Sequence, residues 1–337
     1  LSDVGTVYES RQVRVGYAEQ ATFITPIAVG EAFEEITCDP FDVDPDVMIH
    51  ELPAQHGSQN PVDQTTAHSV VGSSAKFPIN GPVDLNDIDQ FIYAMTQKVV
   101  EQGDTDFTKT FTLFATHPDF DADGGHFLTF VKRLPAASTS QLMGGCIASR
   151  LKFSAERDGL LKFETDWHSL GTDDSDANPS GTWTPRDGTG LVYFNDITSA
   201  TLTKGAALAS PVAVTLRSFE MEVAHEVEKL GHNPTNSFEG FGLKGRSGSF
   251  KVNLLRDETA DEAIISYKAG EMVQFDVDFG SITLTATGKI ESIEYDDDGL
   301  LAESLNCKML STYTVGAVGE MLTIVVGNAV DRSWPAA

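Results

Sequence analysis

The chain has 337 residues, 41% of them hydrophobic, and 50 acidic against 23 basic side chains give it a formal net charge of −27. That length provides for two domains of ordinary size with real cores, and it excludes wholesale disorder. The charge excludes nucleic-acid binding through basic patches, which depends on Lys and Arg releasing counterions from phosphates, although an acidic wall is one that DNA slides past without sticking.

Glycine is frequent at 29, and Val, Thr, Ile and Phe crowd into short runs, which favours strands and tight turns over long helices. Residues 1–36 read as an arm with a first short strand, mixing β-prone pieces such as Gln12-Val13-Arg14-Val15 with polar breaks. From Asp39 to Thr66 the pairs Asp39-Pro40, Asp44-Pro45, Gly57-Ser58 and Asn60-Pro61 predict a long loop. A loop of that length inside a compact domain is expected to be functional or disordered. Ser69–Pro78 alternates as a strand does. Leu85–Val99 predicts a helix capped by Asp84, with Leu85, Ile88, Phe91, Ile92 and Met95 at helical spacing. Phe107–Ala115 and Phe127–Val131 are strands. Asp158-Gly159 then turns a hairpin between Arg150–Ser154 and Lys162–Trp167, because both turn residues tolerate positive φ.

The polar, Gly- and Pro-rich stretch Gly171–Gly190 reads as a linker. Beyond it, Val212–Val227 predicts a long strand, Glu228–Asn236 a loop, and Phe238–Leu255 one or two strands. Thr259–Lys268 predicts a short helix, Met272–Phe279 and Ile282–Ala286 two strands, and Asp298-Gly299 a second hairpin. The two Asp-Gly turns are about 140 residues apart, which is a whole small domain. Loop, strand, helix, strands and hairpin follow in the same order in both halves. Phe163, Thr165 and Trp167 after the first turn share the phase of Glu303, Leu305 and Cys307 after the second. The expectation is a duplicated unit: residues 37–172, a linker at 173–190, and residues 191–337.

The chemistry-bearing motifs are weak. Asp119, Asp121 and Asp123 with Gly124 begin like a calcium loop, but Phe130 holds the twelfth position where the closing acid belongs. They are better read as a polar hairpin tip and are retained only as weak metal candidates. His225-Glu226 lacks the second histidine of a zinc-protease helix. Ser149 and Lys152 have the spacing of a serine–lysine pair, but on a strand positions three apart face opposite sides. Cys38, Cys146 and Cys307 are odd in number and far apart, which suggests neither a disulfide framework nor a zinc site. No catalytic residue, cofactor or enzymatic activity is expected.

Val214-Thr215-Leu216-Arg217-Ser218-Phe219-Glu220-Met221-Glu222-Val223, Leu230-Gly231 and Phe250-Lys251-Val252-Asn253-Leu254, with the strands running on to Tyr295, resemble the tail tube proteins of long-tailed (siphovirus-like) bacterial and archaeal viruses. Tyr17-Ala18-Glu19-Gln20-Ala21-Thr22-Phe23 is similar to the amino-terminal stretch of that family, and the first half looks like a looser copy of the same unit. The resemblance implies a mainly β fold with small helices, here as two tandem tail-tube-like β-sandwich or barrel domains. It implies subunits joined into rings whose inner sheets fuse around a lumen that passes DNA, and rings that stack through a long loop and the terminal arms. With two copies per chain, three chains would close a pseudo-six-fold ring.

The partners expected are further copies of the chain, other tail proteins at the tube ends, and viral DNA passing without specific binding, with no membrane. The place expected is the virion tail, assembled in the host cytoplasm. Acidic residues on the wetted faces of Phe107–Ala115, Gln274–Phe279 and Ser281–Thr287 are expected to line a non-adhesive lumen. The Asp39–Thr66 and Glu228–Asn236 loops are expected to stack the rings, through Asp39, Asp44, His56 and Gln59 and through Leu230, Gly231, His232 and Asn233. The competing expectation is a β-sandwich module for carbohydrate or a host surface, with Trp167, Trp183 and Tyr193 exposed in one groove.

Overall fold

The computed structural model of the chain describes residues 13–20, 32–51, 68–96, 99–102, 108–113, 126–133, 140–175, 183–185, 188–205, 208, 211–230, 240–255, 267–296, 302–310, 313–314, 317–318 and 320–327. The strands among them are β1 (Arg14–Gln20), β2 (Phe33–Glu35), β3 (Asp44–Glu51), β4 (His68–Pro82), β5 (Val99–Gln102), β6 (Thr108–Leu113), β7 (Phe127–Arg133), β8 (Ser140–Glu156), β9 (Lys162–Ser169), β10 (Gly171–Ser175) and β11 (Trp183–Thr184). They continue as β12 (Ser199–Lys204), β13 (Pro211–Ala213), β14 (Leu216–Leu230), β15 (Gly240–Leu255), β16 (Met272–Asp278), β17 (Ile282–Asp296), β18 (Ala302–Met309), β19 (Tyr313–Thr314), β20 (Ala317–Val318) and β21 (Leu322–Val326). One α-helix, α1 (Ile88–Thr96), lies between β4 and β5.

Alternation of apolar and polar residues sets these strands. In β9, Phe163, Thr165, Trp167 and Ser169 are buried, with Glu164, Asp166 and His168 between them on the wetter face. In β18 the buried set is Glu303, Leu305, Cys307 and Met309, so the two strands share the phase expected of them. At the first hairpin Asp158 takes a φ of 65° and Gly159 N–H donates to the Glu156 carbonyl at 2.9 Å. The second Asp-Gly turn lies outside the described residues, but Asp296 pairs with Ala302 across it.

β4 pairs with β3 on one side and β9 on the other, and β9 pairs with β8. β15 likewise lies between β14 and β18, and β18 pairs with β17. Both second hairpins carry a bulge in the same place. In β8 the pairing steps from Ala148↔Trp167 to Arg150↔Asp166, and in β17 it steps from Ile290↔Cys307 to Ser292↔Asn306. β8 then pairs with β14, Ser218 to Ala224 lying against Glu156 to Arg150. A single antiparallel sheet therefore runs β3-β4-β9-β8-β14-β15-β18-β17.

β8 and β17 are long enough to serve a second layer as well. The first part of β8 lies between β7 and β10, and β7 continues to β1, β2 and β11. The first part of β17 lies between β16 and β21. β16 continues to β12 and β13, and β21 continues to β6 and β5. Where β17 leaves one layer for the other, a Cβ on Gly288 would stand 2.1 Å from the Lys308 carbonyl oxygen, so only glycine fits.

One apolar core fills the space between the layers. It includes Phe77, Phe91, Phe130, Phe153 and Trp167 together with Phe219, Phe250 and Phe275. Trp167 meets Phe130 edge to face at a centroid distance of 4.8 Å. Its Nε1–H donates to Thr165 Oγ1 at 2.8 Å, and that hydroxyl donates to the Ile79 carbonyl at 2.8 Å. The indole is therefore satisfied where it is buried.

Several segments differ from expectation. The helix is described over Ile88–Thr96, where the Thr96 hydroxyl donates back to the Ile92 carbonyl, and it does not reach Val99, because Val99–Gln102 join β6 as a strand. Val212–Val227 is two strands, because β13 pairs with β12 while β14 crosses to β15 and β8. The predicted 39–66 loop contains β3. Asp44-Pro45 read as a breaker, yet among the described residues β3 pairs only with β4, and an edge strand accepts proline. Glu228–Leu230, read as loop, extends β14. Of the stretch 171–190, Gly171–Ser175 form β10 and Trp183–Thr184 form β11. Most of the predicted 259–268 helix lies outside the described residues, with Tyr267–Ala269 helical.

Candidate assembly interface

The joint between β8 and β14 carries the densest charge pairing among the described residues. Arg150 Nη2 donates to Glu222 Oε2 at 3.0 Å and to Glu164 Oε2 at 3.1 Å, and Arg150 Nη1 lies 3.6 Å from Asp166 Oδ2. Lys152 Nζ lies 3.1 Å from Glu220 and 3.7 Å from Glu164. Two cations on β8 thus sit between two carboxylates on β9 and two on β14. The backbone makes this possible, because alternate residues on a strand share a face. Arg150-x-Lys152, Glu164-x-Asp166 and Glu220-x-Glu222 all turn away from the core, which holds Leu151, Phe153, Thr165, Met221 and Val223. Burial pulls the Arg150 pKa down, but the Glu222 hydrogen bond and the charges of Glu222 and Asp166 outweigh it, so the guanidinium holds its proton more tightly than a free arginine.

Beyond β14 the same face continues in neutral hydrogen bonds. Ser304 donates to Asn253, whose amide donates to Ser218, and Asn306 Nδ2 donates to Ser292 Oγ at 3.0 Å and to Glu294 at 3.2 Å. Under the joint, His225 of β14 reaches the end of α1. Its Nε2 lies 3.1 Å from the Met95 carbonyl and its Nδ1 accepts from Arg246 Nε at 3.2 Å. That geometry assigns a neutral ring protonated at Nε2. Burial lowers the Arg246 pKa to about 10. A second lock is Lys109 of β6 against Asp89 of α1 at 3.0 Å, both fully buried.

Of the residues expected in assembly, Asp39 and Asp44 are exposed and flank the start of β3, and Asp39 N–H donates to the Asn80 carbonyl at 2.7 Å. Leu230 ends β14 opposite Gly240. His56, Gln59, Gly231, His232 and Asn233, like Asp119, Asp121 and Asp123, lie outside the described residues. Among the described residues no group of three or more His, Cys, Asp or Glu is placed to hold a metal ion. The three aromatics of a carbohydrate groove are not brought together. Trp167 is in the core, Trp183 packs on Phe33 at 6.0 Å, and Tyr193 is exposed. The faces expected to line a lumen belong to β6, β16 and the first part of β17, in the layer behind the joined sheet. Sequence reasoning missed the ladder. Its signal was the pairs of like charges two apart on three strands, with opposite sign on β8, but the partnership of β8 with β14 is not local.

No helix among the described residues is long and apolar enough to cross a membrane. No curated protein matches the chain. Among solved structures, a chain in the virion of a native gene transfer agent particle is 17% identical, with a TM-score of 0.27, over 38% of this chain and 96% of that one. A chain in the tail of an empty gene transfer agent particle, from helical refinement in C6 symmetry, is 18% identical, with a TM-score of 0.28 over the same shares. A family model described as phage tail tube protein matches residues 10–309, nearly the whole chain. The chain therefore belongs to the phage tail tube protein family, and it is a structural protein of the virion tail.

Proposed function

We propose that this tail tube protein is a tandem subunit: two copies of one tube unit, of which three chains close a ring with pseudo-six-fold symmetry. The observation that carries this reading is the β8–β14 pairing, in which the first four-stranded hairpin sheet continues edge to edge into the second within one polypeptide. Hairpin order and bulge position agree between the two sheets. Among the described residues, β3 at one end and the last part of β17 at the other keep one edge unpaired. Open edges of this kind are adhesive, and pairing β17 of one chain with β3 of the next repeats the internal joint.

On this reading the outward face of the joined sheet lines the passage for DNA. Its carboxylates face the lumen. Arg150 and Lys152 are already engaged by acids, so they leave the phosphates of passing DNA little to bind. The role is mechanical and needs no catalysis. Stacking of rings falls to residues 52–66 and 231–236, which follow β3 and β14 in the chain. The test is light scattering with negative-stain microscopy of the purified chain. Three-chain rings or hollow filaments support the reading. Six-chain rings, or a monomer under every solvent condition, refute it. Removing residues 52–66 is expected to leave rings that no longer stack.

A further inference from the structure

The two joints of such a ring differ in charge. The register of the internal joint fixes that of the external one, because the two hairpin sheets align through their common bulges. Trp167 and Cys307 occupy equivalent places, as do Glu164 and Ser304, and as do Phe77 and Phe250, which pair with Trp167 and Cys307. Asp44 pairs with Lys76 and Glu222 with Ser249, one position before Phe77 and Phe250, so Asp44 stands where Glu222 does. Lys152 pairs with Glu164 and Glu294 with Ser304, so Glu294 stands where Lys152 does. Glu222 faces Lys152 across the internal joint. Across the external one, Asp44 faces Glu294 of the next copy. Asp42, exposed, precedes Asp44, and Ser292 takes the place of Arg150. At the external joint Ser292 and Glu294 thus take the places of Arg150 and Lys152, and the cations beside its acids are those of the same chain, Lys76 opposite Asp44 on β4 and Lys132 at 3.9 Å from Asp42.

Resting on the ring reading above, we propose that β3 and β17 of neighbouring chains meet in this register as a self-repelling joint, so that ring closure requires dissolved salt to screen it. Like charges directly opposite on paired strands oppose pairing. They are screened as the Debye length falls from about 30 Å at 0.01 M salt to about 3 Å at 1 M. The device keeps chains apart in dilute salt without weakening the fold, and it acts on the edges that would otherwise pair indiscriminately.

The test combines Glu294→Lys with a cysteine pair. Sedimentation of the wild-type chain from 0.01 to 1 M NaCl is expected to show single chains at low salt and rings at high salt. Glu294→Lys, which restores the charge pattern of Lys152, is expected to form rings at low salt at about tenfold lower protein concentration and to weaken as salt rises. The double variant Asp44→Cys, Glu294→Cys places thiols at opposed positions, within disulfide reach on paired strands, and is expected to give disulfide-linked oligomers on oxidation. If the disulfides form but neither wild type nor Glu294→Lys responds to salt, the repulsion is wrong and the ring reading stands. If no disulfide forms between chains at any salt, both are overturned.

Discussion

Arg150 is the side chain on which the internal joint turns, and its replacement by Met tests the ladder directly. The substitution keeps an apolar stem and deletes three ion pairs, to Glu222 at 3.0 Å, Glu164 at 3.1 Å and Asp166 at 3.6 Å. Partly exposed pairs contribute about 0.2–1 kcal/mol each, and the deletion leaves three carboxylates facing one another, so the expected loss at low salt is about 1–2 kcal/mol. Urea unfolding followed by tryptophan fluorescence reads it, since Trp167 is buried within the core that unfolding opens. At 1 M salt, where screening acts within about 3 Å, the loss is expected to fall to about half or less. A double-mutant cycle with Glu222→Gln is expected to give a coupling of about 0.5–1 kcal/mol. A loss of the same size at both salts would mean that Arg150 acts by packing alone. No loss at low salt would mean that the ladder contributes nothing to the joint.

Three further outcomes are expected. Lys109→Ala removes the cation from the buried Asp89 carboxylate, which keeps the Gln90 N–H at 2.8 Å, and is expected to cost about 3 kcal/mol in urea unfolding, whereas Lys109→Met with Asp89→Leu recovers most of it. Gly288→Ala forces a Cβ against the Lys308 carbonyl and is expected to cost about 1–3 kcal/mol, read in the same assay. Burial pushes the Cys38 thiol up to about 12 from an ordinary 9.0. Below pH 9 the thiol is neutral folded and unfolded; between pH 9 and about 12 only the unfolded chain ionises, so stability falls with rising pH at about 1.4 kcal/mol per unit. Cys38→Ser is expected to flatten the pH dependence of the unfolding midpoint across that window.

What the sequence showed of the fold was the part encoded by neighbours. The Asp158-Gly159 hairpin, the phase of Phe163, Thr165 and Trp167, and the alternation of β6 and β16 all depend on periods of two and on turn chemistry. The edge strand β3 was hidden because Asp44-Pro45 reads as a break wherever a proline must donate to a ladder, and nothing local says that this strand has one neighbour only. The ladder was hidden for a related reason. Arg150, Lys152, Glu220 and Glu222 each look like solvated charges on half-wet strands, and their meaning lies in a pairing across more than 60 residues of chain. Glu303 shows the limit from the other side: it occupies the buried phase of β18, where the pattern asks for an apolar residue.

Doubling the unit within one chain has a consequence that a ring of identical single units does not allow. When every joint is the same, its strength is a single compromise between closing rings and avoiding stray association. Here the joints alternate. The internal one forms during folding, at the high effective concentration of linked segments, and it can carry cations against carboxylates without risk, because no second molecule is needed to satisfy it. The external one sets Asp44 against Glu294, with no cation on the β17 side at the places of Arg150 and Lys152, so association waits on solvent conditions rather than on stability. The two kinds of variant should therefore separate cleanly. Arg150→Met is expected to lower the unfolding midpoint at low salt while leaving the salt needed for ring formation unchanged, and Glu294→Lys to shift that salt requirement while leaving the midpoint of the single chain within about 0.5 kcal/mol. A variant at either position that moved both quantities together would show that the joints are not independent, and the alternation would then have no bearing on assembly.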